Sequence, residues 1–284
     1  MRLDVETTDA DAVRRRIAQD YLWQFPAGDP DFVTRLFPQV VDCFAGRHPD
    51  YQAIDARYHD LEHTLQGALC FSTLIRRRAE VRALPALREE TFQLGLLAIL
   101  LHDTGYLKRR DDTTGTGAKY TAIHVNRSCD FAERFLEARS FTLRQIQSVQ
   151  SMIRCTGLGA NVSALQFQGE EERIAGYALG TADLLGQMAA ADYPEKLPIL
   201  FAEFAESAAY NAGRGGGGMT FESADDLIRK TPGFWTHYVL PKIEQDFLGL
   251  YRFLENPVTG RNEYLDLIEA NFARIRRTVA AMTA

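Results

Sequence analysis

The chain has 284 residues, of which 46% are hydrophobic and 25% are charged, and its formal net charge at pH 7 is −6. This composition is ordinary for a globular protein with one sizeable core, and it excludes an intrinsically disordered chain. Charges of both signs are interspersed without a basic stripe, so we expect no binding to long DNA or RNA. The sequence contains neither an apolar stretch of membrane-spanning length nor a secretory signal pattern, so we expect a cytoplasmic protein with no membrane partner.

Helical periodicity dominates the sequence, and no segment alternates as a strand would. A capping-box pattern from Thr142 to Gln145 predicts the start of a helix that would run to Thr156. Further helices are predicted from about Glu172 and after Pro194. We therefore predict an all-α fold in a single domain over residues 1–284. Another helix is predicted from apolar residues that recur with a period of about 3.6: Phe32, Leu36, Phe37, Val40, Val41 and Phe44.

An apolar run from Leu94 to Leu101 ends in His102 and Asp103. A hydrophobic helix seldom ends in two adjacent metal-ligand residues for packing reasons alone. Adjacent side chains lie about 100° apart around a helix, so this imidazole and carboxylate can reach one cation while the leucines anchor the segment in the core. The pattern predicts a metal site.

Three other residues are candidates to complete this site. His59 and His63 are four residues apart, which predicts that they share one helix face, one turn apart. Asp183 lies among small and apolar residues, where an unpaired carboxylate would be costly. The alternatives are an accidental polar helix face for the two histidines and an N-cap or salt bridge for Asp183.

The order His63, then His102-Asp103, then Asp183 resembles the HD superfamily of metal-dependent phosphohydrolases. Within it, Tyr58-His59 followed by these residues looks most like the catalytic domain of the 3′,5′-cyclic nucleotide phosphodiesterases. The similarity covers roughly residues 57–186. It implies a compact multi-helix HD-type bundle, with residues 194–284 forming helices that cap the site.

The resemblance also implies roles for these residues. His63, His102, Asp103 and Asp183 would bind a first divalent metal ion, and Asp103 would bridge to a second. His59 would donate a proton to the leaving group, a role that suits the side chain that exchanges protons most readily near neutral pH. The implied reaction is hydrolysis of a phosphodiester or nucleotide-like small molecule by metal-activated water. One or two ions are expected, with Mg²⁺, Mn²⁺, Fe²⁺ and Zn²⁺ all open.

Two positions depart from the family pattern. Tyr106 lies three residues after the metal Asp, where related enzymes carry His or Lys. It can hydrogen-bond a bridging water or a phosphate oxygen but supplies no positive charge. His124 resembles a second-metal histidine, although a helix-start histidine with a local hydrogen bond is an equal alternative, and a later histidine of some relatives is replaced by Thr156. We therefore expect a second ion to be weakly held. Positive charge is expected instead from one of the nearby basic residues: Lys108, Arg109, Arg110 or Lys119.

The family's base-holding pair, a Gln followed three residues later by a Phe, is not reproduced, because Gln245 precedes Phe247 by two. Phosphohydrolase activity is therefore better supported than cyclic nucleotide specificity. Glu203-Phe204 is similar to a stretch that follows the metal Asp in the phosphodiesterases. The alternatives are a nucleoside phosphate phosphatase on the same site, and a metal-binding HD regulatory or ligand-binding module with little turnover. Glycine-rich residues 213–218 are interpreted as a hinge or a disordered turn, with a lid as the alternative.

Overall fold

The computed structural model describes residues 5–212 and 221–282, and the regular structure in these ranges is helical. These ranges contain no β-strand, so the predicted all-α fold is confirmed. None of their helices is long and apolar enough to cross a membrane. The glycine-rich residues 213–218 lie outside the described residues.

The α-helices are α1 Ala10–Gln24, α2 Phe32–Phe44, α3 Leu61–Glu80, α4 Glu89–Leu101, α5 His124–Glu137, α6 Leu143–Ile153, α7 Glu170–Ala189, α8 Tyr193–Asn211, α9 Ala224–Phe234 and α10 Glu263–Met282.

Several predicted helices are found near their expected positions. α2 buries most of the predicted apolar face, and Thr142 caps α6 through the reciprocal bonds of a capping box with Gln145. α6 ends earlier than predicted, because the chain tightens into a 3₁₀ turn over Arg154–Thr156. α7 begins slightly before its predicted start.

The prediction that His59 and His63 share one helix face is wrong. α3 begins at Leu61, and Asp60 is its N-cap, whose side chain accepts a hydrogen bond from the His63 amide at 2.9 Å. His59 therefore lies in the turn before the helix. The two imidazoles are still neighbours, with ring centroids 5.5 Å apart.

α3 and α7 form the central helix pair, flanked by α1, α4, α6 and α10. Their backbones touch where a Cβ on Gly186 would lie 2.9 Å from backbone atoms of Gln66 and Gly67. Only glycine permits this approach at position 186, because a Cβ there would meet backbone rather than a flexible side chain. His63 precedes Gly67 by one turn and Asp183 precedes Gly186 by one turn. The close approach of the two helices therefore brings His63 and Asp183 together.

Replacing Gly186 by alanine is expected to destabilise the protein. The added methyl group would meet the α3 backbone, which cannot move aside as a flexible side chain does. We expect a loss of about 1–3 kcal/mol in the free energy of unfolding, measured by urea denaturation. Gly159→Ala is the matched control, because no atom lies within 4 Å of its Cβ position. The control should change stability by less than about 0.5 kcal/mol, and equal stability of the two variants would contradict the assigned contact.

Candidate metal centre

Four buried side chains converge at one point between α3, α4 and α7. His63 lies in the first turn of α3, His102 and Asp103 directly follow α4, and Asp183 lies within α7. His63 Nε2 is 3.1 Å from Asp103 Oδ2 and 3.2 Å from Asp183 Oδ1. His102 Nε2 is 3.3 Å from each of the same two oxygens. The structure thus brings together the four residues predicted to bind the first metal ion.

The spacing and hydrogen bonding of these atoms fit a bound cation. Two ligand atoms at right angles and about 2.2 Å from one ion lie about 3.1 Å apart, close to the separations found here. His102 Nε2 and Asp103 Oδ2 are buried, yet neither has a hydrogen-bond partner of good geometry. Buried polar atoms seldom lack a partner, so both atoms are better explained as metal ligands than as parts of a hydrogen-bond network.

The electrostatics of the cluster also favour a cation. Burial alone would lower the pKa of each imidazole and raise that of each carboxylate. The close contacts reverse both effects: the two carboxylates raise the pKa of His63 to about 9 and that of His102 well above its usual value. The imidazoles, His102 foremost, lower the pKa values of Asp103 and Asp183 well below their usual range. Two buried carboxylates here require positive charge, which protons or a divalent cation can supply.

The chain fixes how two of these residues face the cluster. His102 Nδ1 lies 2.7 Å from the Ile99 carbonyl oxygen, to which it donates, so Nε2 is the nitrogen that faces the cluster and is available to a cation. Asp183 lies within α7, so the N-cap alternative is wrong for it. Gln187 Nε2 donates to the Asp183 carbonyl oxygen at 3.0 Å and approaches Oδ1 at 3.4 Å, which helps to orient this carboxylate.

His59 lies beside the cluster and is oriented by Glu203 of α8. Its Nδ1 is 2.6 Å from Glu203 Oε2, while Glu203 Oε1 accepts the Tyr58 amide at 2.7 Å. Burial opposes ionisation of Glu203, but the bonds from His59 and Tyr58 lower its pKa, so it remains a carboxylate acceptor. Nδ1 therefore carries a proton, and Nε2 is the nitrogen free to act in the cavity. The sequence contains little indication of this role for Glu203. Its one indication is the Glu203-Phe204 pair, which is similar to a stretch of the phosphodiesterases.

Tyr106 is sandwiched between two imidazoles. Its ring stacks on His59 with centroids 4.4 Å apart and on His124 with centroids 4.8 Å apart. The buried hydroxyl oxygen has no hydrogen-bond partner of good geometry. Thr121, the hydroxyl side chain beside it, donates its own proton to the Ala118 carbonyl oxygen and is only a weak acceptor for Tyr106. Burial, reinforced by the charges of nearby carboxylates, raises the pKa of Tyr106 well above its usual value. A neutral phenol at this position can donate a hydrogen bond to a bound group.

His124 fits both interpretations of the sequence. It is the first residue of α5, and its Nδ1 makes the local bond of a helix-start histidine, 2.7 Å from the Thr121 carbonyl oxygen. Its Nε2 nevertheless lies 3.9 Å from Asp103 Oδ1, the carboxylate oxygen not turned toward His63 and His102. Burial lowers the pKa of His124, which favours the neutral ring that binds metals. A second ion or a substrate oxygen fits between His124 and Asp103.

The four basic residues expected to supply positive charge do not face the site. Lys108 Nζ pairs with Asp55 at 2.8 Å, and Lys119 Nζ bonds to Asp112. Arg110 bonds to the backbone of the loop before Tyr51, and Arg109 lies over the ring of that tyrosine. The prediction that one of these residues supplies positive charge to the site is therefore wrong. Their side chains contact neighbouring loops instead, because the chain after Tyr106 turns away from the cluster.

A cavity of about 460 Å³ opens above the cluster, a size that accommodates a small organic ligand. His59, His63, Asp103 and Asp183 lie at its polar end, with Tyr106 and His124 beside them. The rest of the wall comes largely from α7, α8 and α9. Thr156 also lines the cavity.

One family model matches residues 110–276, which is more than half of the chain, and its description is Npun_R2479-like. The chain belongs to this family. The matched segment includes His124, Asp183 and Glu203 but begins after His59, His63 and the His102-Asp103 pair. No curated protein matches the chain.

Binding of a divalent metal ion is expected to depend on the cluster. Mn²⁺ at 100 times its dissociation constant should raise the free energy of unfolding by about 2.7 kcal/mol. His102→Ala should abolish this increase, because it removes a buried ligand. His237→Ala is the control, since His237 is exposed and does not line the cavity. Thermal denaturation with and without Mn²⁺ provides the measurement, and an equal metal response in both variants would contradict the assignment.

Proposed function

We propose that this protein is a metal-dependent phosphohydrolase of the HD type, acting on a small phosphoester. One observation carries the proposal: four buried ligand atoms face one point, and an imidazole oriented by a carboxylate lies directly beside them. Ligands and a proton-transfer group at the end of one cavity suit hydrolysis of an ester. The resemblance to the HD superfamily agrees with this arrangement.

His63, His102, Asp103 and Asp183 would hold the first ion. A bound divalent cation supplies charge to the phosphoryl oxygens and acidifies water. The protein's own contribution is to place a phosphoryl group in reach of His59, Tyr106 and His124. Tyr106 would donate its hydroxyl proton to a phosphoryl oxygen, which would give that buried group a hydrogen bond of good geometry.

His59 would act as the general acid. Its Nδ1 proton is held by Glu203, so a proton on Nε2 can be transferred to the departing alkoxide oxygen. Glu203 is a positioning residue, because it touches His59 and the backbone rather than the substrate. Its carboxylate also stabilises the protonated imidazole before transfer, as the third group of a catalytic triad does.

The His59–Glu203 pair is the specific observation against a pure binding module. Such a module needs metal ligands and a cavity, whereas a buried carboxylate that orients an imidazole beside the ligands serves proton transfer. A nucleoside phosphate phosphatase would use the same cluster and stays the second candidate. The expected compartment is the cytoplasm, and the free, buried state of Cys43, Cys70, Cys129 and Cys155 agrees with a reducing environment.

Replacing His59 by asparagine should reduce turnover while the metal is retained. A general acid contributes about 10²–10⁴-fold to rate, and its contribution shrinks when the leaving group needs no proton. We therefore expect a large loss of kcat on a phenyl phosphodiester and a much smaller loss on the matching p-nitrophenyl ester. Both rates are measured by product release with Mn²⁺ present.

Two comparisons make this experiment decisive. His102→Ala should lose both turnover and metal, whereas His59→Asn should lose turnover alone. Equal losses on both esters with His59→Asn would contradict the role as general acid. Absence of turnover by the metal-loaded, folded wild-type protein on every phosphoester tested would contradict the proposed function itself.

A further inference from the structure

The cavity wall beyond the metal cluster is dominated by apolar side chains. Leu197, Leu200 and Phe204 project into it from α8, and Leu227 and Phe234 from α9. Three of the five are partly accessible, so they form a surface that a ligand can cover. The ring of Phe204 also stacks on that of Phe221, another lining residue, with centroids 6.0 Å apart. Such walls bind apolar groups and gain free energy as water leaves.

Charge is scarce on the same wall. Among the described residues that line the cavity, Lys230 is the single lysine or arginine. Its side chain is exposed, and its Nζ lies 2.8 Å from Asp226 Oδ2. The acidic lining residues are Asp103 and Asp183, both in the cluster. Positive charge for an anionic ligand is therefore concentrated at one end, where the ion would bind. A second or third phosphoryl group would leave water for an apolar wall, which is costly without paired charge.

We infer that the ligand of this site carries a single phosphoryl group esterified to a compact apolar group, rather than a chain of phosphates or a strongly polar nucleoside. This inference rests on the proposed phosphoester chemistry. The phosphoryl group lies against the cluster, His59 and Tyr106. The apolar group lies between α8 and α9, against Leu200 and Phe234.

Binding of non-hydrolysable phosphonates tests this class without relying on turnover. Phenylphosphonate and methylphosphonate share one head group and differ in the apolar group, while pyrophosphate replaces that group with a second phosphoryl. Calorimetry on the Mn²⁺-loaded wild-type chain should give a dissociation constant for phenylphosphonate at least about tenfold below that for methylphosphonate. Pyrophosphate should bind no tighter than methylphosphonate. Tighter binding of pyrophosphate, or equal binding of the two phosphonates, would overturn the inference.

Variants locate the apolar subsite. Leu200→Asn and Phe234→Ser should each weaken phenylphosphonate binding by about tenfold and change methylphosphonate binding by less than about threefold. Phe234 is 36% exposed, so its replacement does not open a core, and this variant remains informative if Leu200→Asn does not fold. Leu22→Asn is the control, because Leu22 is 36% exposed and lies in α1 outside the cavity. Unchanged selectivity in Phe234→Ser would overturn the placement.

The outcomes for the two proposals are separable. Selective binding of phenylphosphonate by a protein that hydrolyses no phosphoester would support the ligand class and contradict the hydrolytic function. Hydrolysis of thymidine 5′-triphosphate in preference to a phenyl phosphodiester would support hydrolysis and overturn the ligand class.

Discussion

The whole arrangement depends on keeping two carboxylates and two imidazoles in one buried space. Neither Asp103 nor Asp183 would be tolerated there alone, because an ionised carboxylate in an apolar interior must be paired. The two imidazoles approach both acids at 3.1–3.3 Å, and a divalent cation would balance both negative charges at once. Metal binding would therefore be linked to folding, since an ion that binds only the native cluster stabilises the native state.

The helices place the other groups of the candidate site so that, in the proposed reaction, the fit of the substrate would be linked to proton transfer. The glycine contact between α3 and α7 sets the distance between His63 and Asp183, and the end of α4 supplies the other two ligands. α8 has two roles, because Glu203 on one side orients His59 while leucine and phenylalanine side chains of the same helix line the cavity. A ligand that packs against α8 would therefore lie next to Glu203, the side chain that orients His59. Rigid helices position such groups more accurately than loops do.

Much of the fold and of the metal cluster could be predicted from the sequence. Apolar periodicity and the capping box at Thr142 are local signals, and the helices they predict exist. The four candidate ligands could be predicted from the order of these residues along the chain and from the free-energy cost of burying the Asp183 carboxylate unpaired. Other features depend on tertiary contacts that local patterns do not encode. The N-cap at Asp60 displaces His59 from the helix, and Lys108 lies close to the metal pair in sequence but pairs with a different loop. The apolar wall of the cavity could not be predicted, because it forms where α8 and α9 pack over the cluster and no local sequence pattern encodes that contact.

The most direct test of the account is a crystal structure of the protein grown with Mn²⁺, with an anomalous difference map calculated at the manganese edge. We predict one strong peak within coordination distance of Nε2 of His63 and His102, Oδ2 of Asp103 and Oδ1 of Asp183, at about 2.0–2.3 Å from each. A weaker second peak near His124 would agree with the expected weak second ion. A cluster with no peak at full Mn²⁺ loading, or a peak held by other residues, would contradict the central claim.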